Sequence, residues 1–289
     1  MSVKKQLAAV LASALAATGL VACGNDDTKA DGNTVTVGTT DSAKKAWSVW
    51  EDKAKENGID LKIENFSDYN TPNQALTQHQ IDANLFQHLD FLATYNVKSN
   101  SNLRAVGSTE VVPLALFWKD HDSIDGIDGQ EIAIPNDPTN QARAINVLKS
   151  KDLVKLKKGD VAKPTPADVD TDKSKVKLTP VDAAQTSTAY FEGKPAIINN
   201  TFLDRAGIDP KTAVLQDDPS DPSTEPFINV LVTTEDNVDN QNLKKLVELW
   251  HTPEVQKAVE EDSKGTSVEV DRSADDLNKI LARLEEQDK

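Results

Sequence analysis

The 289-residue sequence contains one cysteine and four histidines, and these scarcities limit what the protein can be. A single cysteine excludes a disulfide within the chain. The histidines show no spacing typical of a zinc site. The chain also lacks a nucleophile elbow, a His-Glu-x-x-His pair and any glycine-rich phosphate or dinucleotide loop, and its many carboxylates form no catalytic motif. The sequence therefore predicts a protein that is not an enzyme and needs neither metal nor cofactor.

Basic residues are also few: the sequence has 32 lysines and arginines and 47 acidic residues, which gives a formal net charge of −15. Such a charge argues against nucleic acid as a partner and against electrostatic adhesion to anionic lipid. The length allows two domains of ordinary size, and a hydrophobic content of 38% is sufficient for their cores. We therefore expect a self-repelling body that is monomeric.

The N-terminus has the pattern of an exported protein. Lys4 and Lys5 precede an apolar stretch at 6–19 that is too short to span a bilayer, so residues 1–22 are predicted to be a signal peptide. The sequence Leu-Val-Ala-Cys ending at Cys23 resembles the lipobox of bacterial lipoproteins, which implies cleavage before Cys23 and its acylation, for example with palmitate. The alternative is an ordinary signal peptide with an incidental cysteine. Residues 23–33 are polar and rich in turn formers, which predicts a tether.

Strands and helices alternate through the first part of the body. Apolar alternation predicts strands at 34–38, 59–63 and 81–86, separated by helices that begin near Asp41 or Ser42 and at Thr71. This order predicts a mainly parallel α/β sheet, with Trp47 and Trp50 in its core. Pro113 interrupts the apolar run 109–118, where we expect a break or a crossing between two lobes.

The stretch 131–148 has the strongest local pattern. A short apolar strand ends at Pro135, and Asp137 followed by Pro138 is typical of a helix start. A helix N-terminus presents free N–H groups, and Arg143, one and a half turns later, could reach the same point and clamp a carboxylate or phosphate. The pattern therefore indicates an anion site, although an arginine on a helix can also be simply solvated.

Two features mark the second half of the chain. Asn229 interrupts the apolar strand 227–232, and a buried amide needs a specific hydrogen-bond partner, which would be either a ligand or the backbone. The stretch 273–289 is predicted to form an amphipathic helix. We expect this helix to be a docked or projecting surface element, with a partner-binding element as the alternative.

Two motifs resemble the NlpA/MetQ family, the substrate-binding lipoproteins of ABC importers for methionine. They are Asp-Ala-Asn-Leu-Phe-Gln-His at 82–88 and Ile-Pro-Asn-Asp-Pro-Thr-Asn at 134–140, the latter followed by Arg143. Weaker pieces at 68–73, 181–185, 197–200 and 226–229 follow in the family's order. The resemblance extends from the lipobox to about Gly265, which is most of the mature chain.

The resemblance implies an α/β, periplasmic-binding-protein-like fold of two lobes, each a mixed sheet flanked by helices, with the ligand cleft at the hinge. Lobe 1 would contain 34–111 and 230–289, including an extra C-terminal helix at 267–289, and lobe 2 would contain 112–229. The implied protein is anchored to the cell membrane on its extracytoplasmic face. It binds methionine or a close derivative and delivers it to an ABC permease.

The family's pocket residues can be carried over to matching positions. Tyr69, Phe86 and His88 would lie near the ligand side chain, and Arg143 would bind its carboxylate. Asn229 and Asn199 would contact the amino-acid head group, with Asn200 as the alternative to Asn199. The resemblance leaves open whether the ligand is L-methionine, D-methionine or a methionine peptide.

The chain departs from the family's pattern at two places near these residues. Gln141 and Ala142 stand where the family has two glycines, and we expect them to narrow the approach to the ligand or to add a contact. Phe227 replaces a usual tyrosine and so removes one hydroxyl. The alternatives from other functional classes are an anchored surface protein with a macromolecular partner and an anchored hydrolase.

Overall fold

The computed structural model describes residues 33–159 and 161–289. The predicted signal peptide, Cys23 and all but the last residue of the predicted tether lie outside this range. In chain order the strands are β1 (Thr34–Thr39), β2 (Asp60–Asn65), β3 (Ala83–His88), β4 (Leu103–Ser108), β5 (Glu110–Val111), β6 (Ala115–Phe117), β7 (Glu131–Pro135), β8 (Lys177–Val181), β9 (Ala196–Ile198), β10 (Leu215–Gln216), β11 (Asn229–Thr234) and β12 (Val268–Glu269).

The α-helices are α1 (Lys45–Glu56), α2 (Pro72–Thr77), α3 (Leu89–Ser99), α4 (Pro138–Lys149), α5 (Thr186–Phe191), α6 (Thr201–Ala206), α7 (Gln241–Trp250), α8 (Pro253–Ser263) and α9 (Ala274–Asp288). Short 3-10 helices occur as well, among them Pro166–Asp168 and Pro222–Phe227. Among the described residues, no helix is both long and apolar enough to cross a membrane.

The first sheet has the strand order β2-β1-β3-β11-β4. As predicted, β1 runs parallel to β2 and β3, but β11 runs antiparallel to both β3 and β4. The sheet is therefore mixed rather than mainly parallel, because a strand from late in the chain inserts between two early strands. One face packs on α1, α7 and α8, and the other packs on α3 and α9.

The second sheet has the order β10-β6-β9-β7-β8. Here β7 is parallel to β8 and β9, while β6 is antiparallel to β9 and β10. Apolar side chains of α4, including Ile145 and Leu148, pack on one face, and Phe202 and Leu203 of α6 pack on the other. The expected α/β class with two mixed sheets flanked by helices is confirmed.

The chain passes from the first sheet to the second at the break expected around Pro113. β5 lies before this proline and pairs with β12, forming a two-stranded ribbon outside both sheets, whereas β6 lies after it in the second sheet. Below, "first half" means the elements packed on the first sheet, and "second half" means those packed on the second.

The prediction that Asp41 or Ser42 caps α1 is wrong. The helix begins later, at Lys45, and its N-cap residue Lys44 makes no side-chain cap. Instead, the carboxylate of Asp262, at the end of α8, accepts hydrogen bonds from the N–H groups of Lys45 and Ala46 at 3.1 and 2.8 Å. A distant residue thus satisfies the free N–H groups of the helix. Trp47 and Trp50 are buried, as predicted.

The C-terminal helix is docked on the first half. Its apolar residues, spaced at three and four positions, lie in the core beside α3 and β4. They are Leu277, Ile280, Leu281 and Leu284, which form the apolar side of the predicted amphipathic helix. Ser273 caps this helix by accepting a hydrogen bond from the N–H of Asp276 at 3.3 Å.

Candidate ligand-binding site

One cavity between the two sheets brings the predicted site residues together. Its empty space, including the open solvent at its mouth, is about 440 Å³. Its lining includes all six residues predicted from the sequence: Tyr69, Phe86, His88, Arg143, Asn199 and Asn229. It also includes residues that sequence reasoning missed, chiefly Phe91, Val112, Asn140 and Thr201.

The position of the cavity follows from the topology. Phe86 and His88 lie at the carboxyl end of β3, and Asn199 directly follows β9. Asn229 begins β11, which is antiparallel to β3 and so starts at the same edge, opposite His88. In α/β sheets, ligand crevices form at the carboxyl edge of the parallel strands, and both sheets turn this edge toward the cavity.

Aromatic rings form one wall. The ring of Tyr69 lies 5.9 Å from that of Phe86 and 6.0 Å from that of Phe91, and the two phenylalanine rings are 5.8 Å apart. Burial raises the pKa of the Tyr69 phenol, so it stays neutral. Phe91 comes from the first turn of α3, and no local pattern indicates that its ring faces back toward β3. All three rings are partly exposed to the cavity, which gives it an apolar side.

His88 is held as a neutral imidazole. Its Nδ1 accepts a hydrogen bond from the N–H of Phe91 at 3.1 Å and so caps α3. The proton is therefore on Nε2, which faces Asn140 Oδ1 at 3.4 Å. Burial, assisted by the positive charge of Arg143, lowers the pKa of His88 to about 3. His88 thus presents an uncharged ring to the cavity.

Gln87, the middle residue of the Phe-Gln-His motif, has a structural role. Its side chain exchanges hydrogen bonds with Asn73 of α2, at 2.9 and 2.6 Å, and also donates to Asn84 Oδ1 at 2.8 Å. All three amides are buried. This network fixes β3 beneath α2 and so sets the direction of Phe86 and His88 on either side of Gln87.

Among the described residues that line the cavity, Arg143 is the one lysine or arginine, and it is only 4% exposed. Its Nε donates to Asp217 Oδ2 at 2.6 Å, and one Nη donates to the Val112 carbonyl at 2.9 Å. The guanidinium carbon lies 4.2 Å from the centre of the Phe227 ring, a cation–π contact. Within the described residues the other nitrogen, Nη1, has no acceptor. Arg143 is therefore fixed by the protein and still has hydrogen-bond donors available.

The helix N-terminus itself is not the anion site that the sequence suggested. The carboxylate of Asp137 already occupies it and accepts hydrogen bonds from the backbone and side-chain N–H groups of Asn140, both at 3.0 Å. Because the helix provides its own capping anion, a second anion would be repelled there. Burial raises the pKa of Asp137, and these hydrogen bonds oppose the shift.

The two family departures before Arg143 also lie away from the cavity. Gln141 and Ala142 are not among the described residues that line it, so the expectation that they narrow the approach to the ligand or contact it stays a prediction. The helical turn points them elsewhere: the Gln141 amide faces the Pro135 carbonyl at 3.4 Å, and Ala142 lines a groove behind Arg143. Phe227, the position at which the family pattern has a tyrosine, stacks its ring on the guanidinium of Arg143.

Three of the asparagines in the site, Asn199, Asn200 and Asn229, differ in the polar atoms that they leave without a partner. Asn199 is buried and donates to Asn140 Oδ1 at 3.0 Å, but its own Oδ1 has no hydrogen-bond partner in the described part of the chain. Asn200 is also buried, and its Oδ1 accepts from Lys44 Nζ at 2.9 Å. The Asn229 amide, for which we expected a specific partner, makes no hydrogen bond to any described residue. Its backbone carbonyl accepts from the Thr109 N–H at 3.0 Å.

A second chamber, with about 610 Å³ of empty space including the open solvent at its mouth, shares the wall formed by Phe86, Asn200 and Asn229. It is lined by tryptophan rings and by charged groups, among them Lys44 and Glu110. Burial raises the pKa of the Glu110 carboxyl to about 7, although the positive charge of Lys44 opposes the shift. Glu110 therefore changes its protonation near neutral pH.

The arrangement suits binding rather than covalent chemistry. The cavity combines an apolar wall, one fixed cation and free amide groups, and a neutral histidine with a pKa of about 3 is a poor general base. Among the described residues, no three histidine, cysteine or acidic side chains gather as they would to hold a metal ion.

Comparison with known proteins identifies a matching family. The family described as "NlpA lipoprotein" matches residues 35–270. The D-methionine-binding lipoprotein MetQ of Escherichia coli is 34% identical over 277 residues, which cover 93% of this chain and 99% of MetQ.

Solved structures agree with this result. The crystal structure of protein PG110 from Staphylococcus aureus matches with a TM-score of 0.81 and 36% identity, covering 86% of this chain and 99% of PG110. The substrate-binding protein of a methionine transporter from Streptococcus pneumoniae matches with a TM-score of 0.76 and 29% identity, covering 82% and 96%. Sequence and fold thus point to the same group of proteins.

Proposed function

The chain belongs to the NlpA lipoprotein family, and from this premise we propose that it is the substrate-binding protein of an ABC methionine importer. It is a binding protein and not an enzyme. It captures methionine or a close derivative and delivers it to a membrane permease. The observation that carries this proposal is the cavity between the two sheets, which joins one fixed cation to an aromatic wall.

The polar side of the cavity fits the head group of an amino acid. Nη1 of Arg143 is available to a carboxylate, which a buried guanidinium binds strongly. The unpartnered Oδ1 of Asn199 is suited to accept a hydrogen bond from an ammonium group, since a buried amide oxygen is unfavourable without a partner. Asn229 adds a second free amide. We therefore assign the head group to these three residues and prefer Asn199 to Asn200, whose oxygen Lys44 already occupies.

The aromatic side of the cavity fits a thioether. Tyr69, Phe86 and His88 provide ring faces and edges that a polarisable sulfur contacts favourably. Methionine is small, but the ceiling of about 1.5 kcal/mol per heavy atom for very small ligands still permits nanomolar affinity. A charged side chain would lose its hydration against this largely aromatic wall, whose tyrosine and histidine are both uncharged.

Capture would involve closure of two lobes. We propose that residues 34–111 and 230–289 form lobe 1 and 112–229 form lobe 2, since the sheets divide in this way. Hinge closure around a ligand would then bury it and present a closed surface to the permease. Membership of a lipoprotein family implies a lipid anchor, which we assign to Cys23, and we place the protein on the extracytoplasmic face of the membrane.

A thermal-shift panel tests the function. The purified protein is melted with each of the twenty L-amino acids, with D-methionine and with simple methionine peptides. A ligand at one hundred times its Kd should stabilise the fold by about 2.7 kcal/mol, so methionine or a methionine derivative should raise Tm while acidic and basic amino acids do not. If no member of the panel moves Tm, the transport function is rejected.

A further inference from the structure

Helix α9 lies outside the part of the chain that the family accounts for. The family match ends at residue 270, and α9 begins at Ala274. Nevertheless α9 is firmly seated on the first half, because Leu277, Leu281 and Leu284 are buried against α3 and its neighbours. The burial explains why α9 is helical there, but it does not explain the contacts made by its polar face.

The C-terminal end of α9 contacts the second half through Lys163. This lysine belongs to the loop between α4 and β8, which packs on the second sheet through Val154 and Val169. Its Nζ pairs with Asp288 at the end of α9 and lies 2.7 Å from Asp90 Oδ1 at the start of α3. The two carboxylates are only 11% and 7% exposed, and the lysine is 29% exposed. A pair so shielded from water is stronger than an ordinary surface ion pair.

A second ion-pair cluster joins α9 and the segment just before it to Glu225. Glu225 pairs with Arg272, just before α9, at 3.2 Å and with Arg283 of α9. Glu225 lies two residues before Phe227, whose ring stacks on the guanidinium of Arg143. Helix α9 is thus tied to the segment that holds the predicted ligand-binding arginine in place.

We propose that α9 is a latch that holds the two halves together around the occupied cavity and so slows ligand release. Lys163 is the cation on the second half, and the carboxylates of Asp288 and Asp90 are its ion-pair partners on the first half. Opening a cleft between the halves separates Lys163 from both carboxylates, so the pair opposes opening but not the binding contacts themselves. The inference rests on the proposed function, since it concerns release of the same ligand.

The test compares four full-length variants by stopped-flow measurement of methionine dissociation. Lys163→Met removes both ion pairs between the halves, whereas Asp288→Asn removes one and leaves Asp90 paired with Lys163. Lys173→Met is the matched control, because Lys173 belongs to the same loop but pairs with Asp170 within it. We expect dissociation to be about fivefold faster in Lys163→Met, as for loss of a shielded ion pair, faster by a smaller factor in Asp288→Asn, and unchanged in the control. The double variant Lys163→Met/Asp288→Asn should dissociate no faster than Lys163→Met alone, because the two groups act as a unit.

The latch is overturned if Lys163→Met and Lys173→Met release methionine at the same rate while both still bind it. That outcome leaves the proposed function intact. If the wild-type protein binds no methionine, the proposed function fails, and hydrogen exchange without ligand decides about the latch. Amides of 161–169 and of the last turn of α9 should then exchange faster in Lys163→Met than in Lys173→Met, and equal exchange would refute the latch.

Discussion

Replacing Arg143 by methionine should damage stability and ligand affinity together, and the two effects can be separated. The guanidinium is nearly buried, and it satisfies Asp217 Oδ2 and the Val112 carbonyl at 2.6 and 2.9 Å. Without it, the Asp217 carboxylate retains, among the described residues, only the hydrogen bond that its other oxygen accepts from the N–H of Leu114 at 2.8 Å. Methionine preserves the length and apolar packing of the stem, so the change removes mainly charge and hydrogen bonds.

The magnitudes follow from these contacts. Breaking a buried ion pair by removing one partner costs about 3–5 kcal/mol. Because the Asp217 side chain is 18% exposed, water can solvate the unpaired carboxylate and reduce this cost. We therefore expect a loss of about 2–3 kcal/mol in the free energy of unfolding. A hydrogen bond to a charged group contributes about 1.5–3 kcal/mol, so methionine affinity should fall about 10- to 150-fold.

The double variant Arg143→Met/Asp217→Asn separates the effects. Asparagine can still accept the Leu114 N–H but carries no charge, so much of the lost stability should return while affinity stays low. Urea unfolding measures the first quantity and isothermal titration calorimetry with methionine the second. Wild-type affinity in Arg143→Met, or recovery of affinity in the double variant, would refute direct binding of the carboxylate by Arg143.

Three further predictions concern other residues of the two chambers. Asn199→Ala removes a free buried acceptor and should weaken methionine binding about tenfold, whereas Asn200→Ala, whose oxygen Lys44 occupies, should weaken it less; calorimetry giving equal losses would contradict the assignment to Asn199. Phe91→Ala removes part of the aromatic wall and should lower affinity by about tenfold with little effect on the preference for a free carboxylate, as measured by comparing methionine with its methyl ester; an unchanged affinity would exclude Phe91 from the ligand contacts. Burial raises the pKa of Glu110 from 4.5 to about 7 in the folded state. Between these two pH values the folded state holds a proton that the unfolded state has released, so the free energy of unfolding declines as pH rises from about 4.5 to 7. Glu110→Gln should therefore raise the free energy of unfolding by up to about 3 kcal/mol at pH 8 but leave it unchanged at pH 4. If denaturant unfolding of the variant shows the same pH dependence as the wild type, the raised pKa of Glu110 is refuted.

Local pattern predicted most of the elements, whereas the assignment of the six site residues came from the family resemblance. The apolar strands ending at His88 and before Asn199 are visible in the sequence because each is followed by polar residues, and the carboxyl ends of such strands meet at one edge. The cap at Asp137 was predictable as well, since it depends on neighbours three residues away. The mixed character of the first sheet came from the family resemblance and not from strand order.

Contacts between distant segments were not predictable. Asp217 lies 74 positions from Arg143 in a turn-rich stretch, and nothing local distinguishes it from Asp218. Likewise α1 is capped by Asp262 from the other end of the chain, which is why its start was misplaced. The role of Asn140 was not predictable for the same reason. Its hydrogen bonds to His88 and Asn199 depend on how the two sheets face each other.

A crystal structure of the protein grown with methionine is the most direct test of the proposed binding site. We predict one molecule in the cavity between the sheets, with its carboxylate within hydrogen-bond distance of Arg143 Nη1 and its sulfur against Tyr69, Phe86 and Phe91. Methionine bound elsewhere, or bound in this cavity with its carboxylate turned away from Arg143, would refute the assignment.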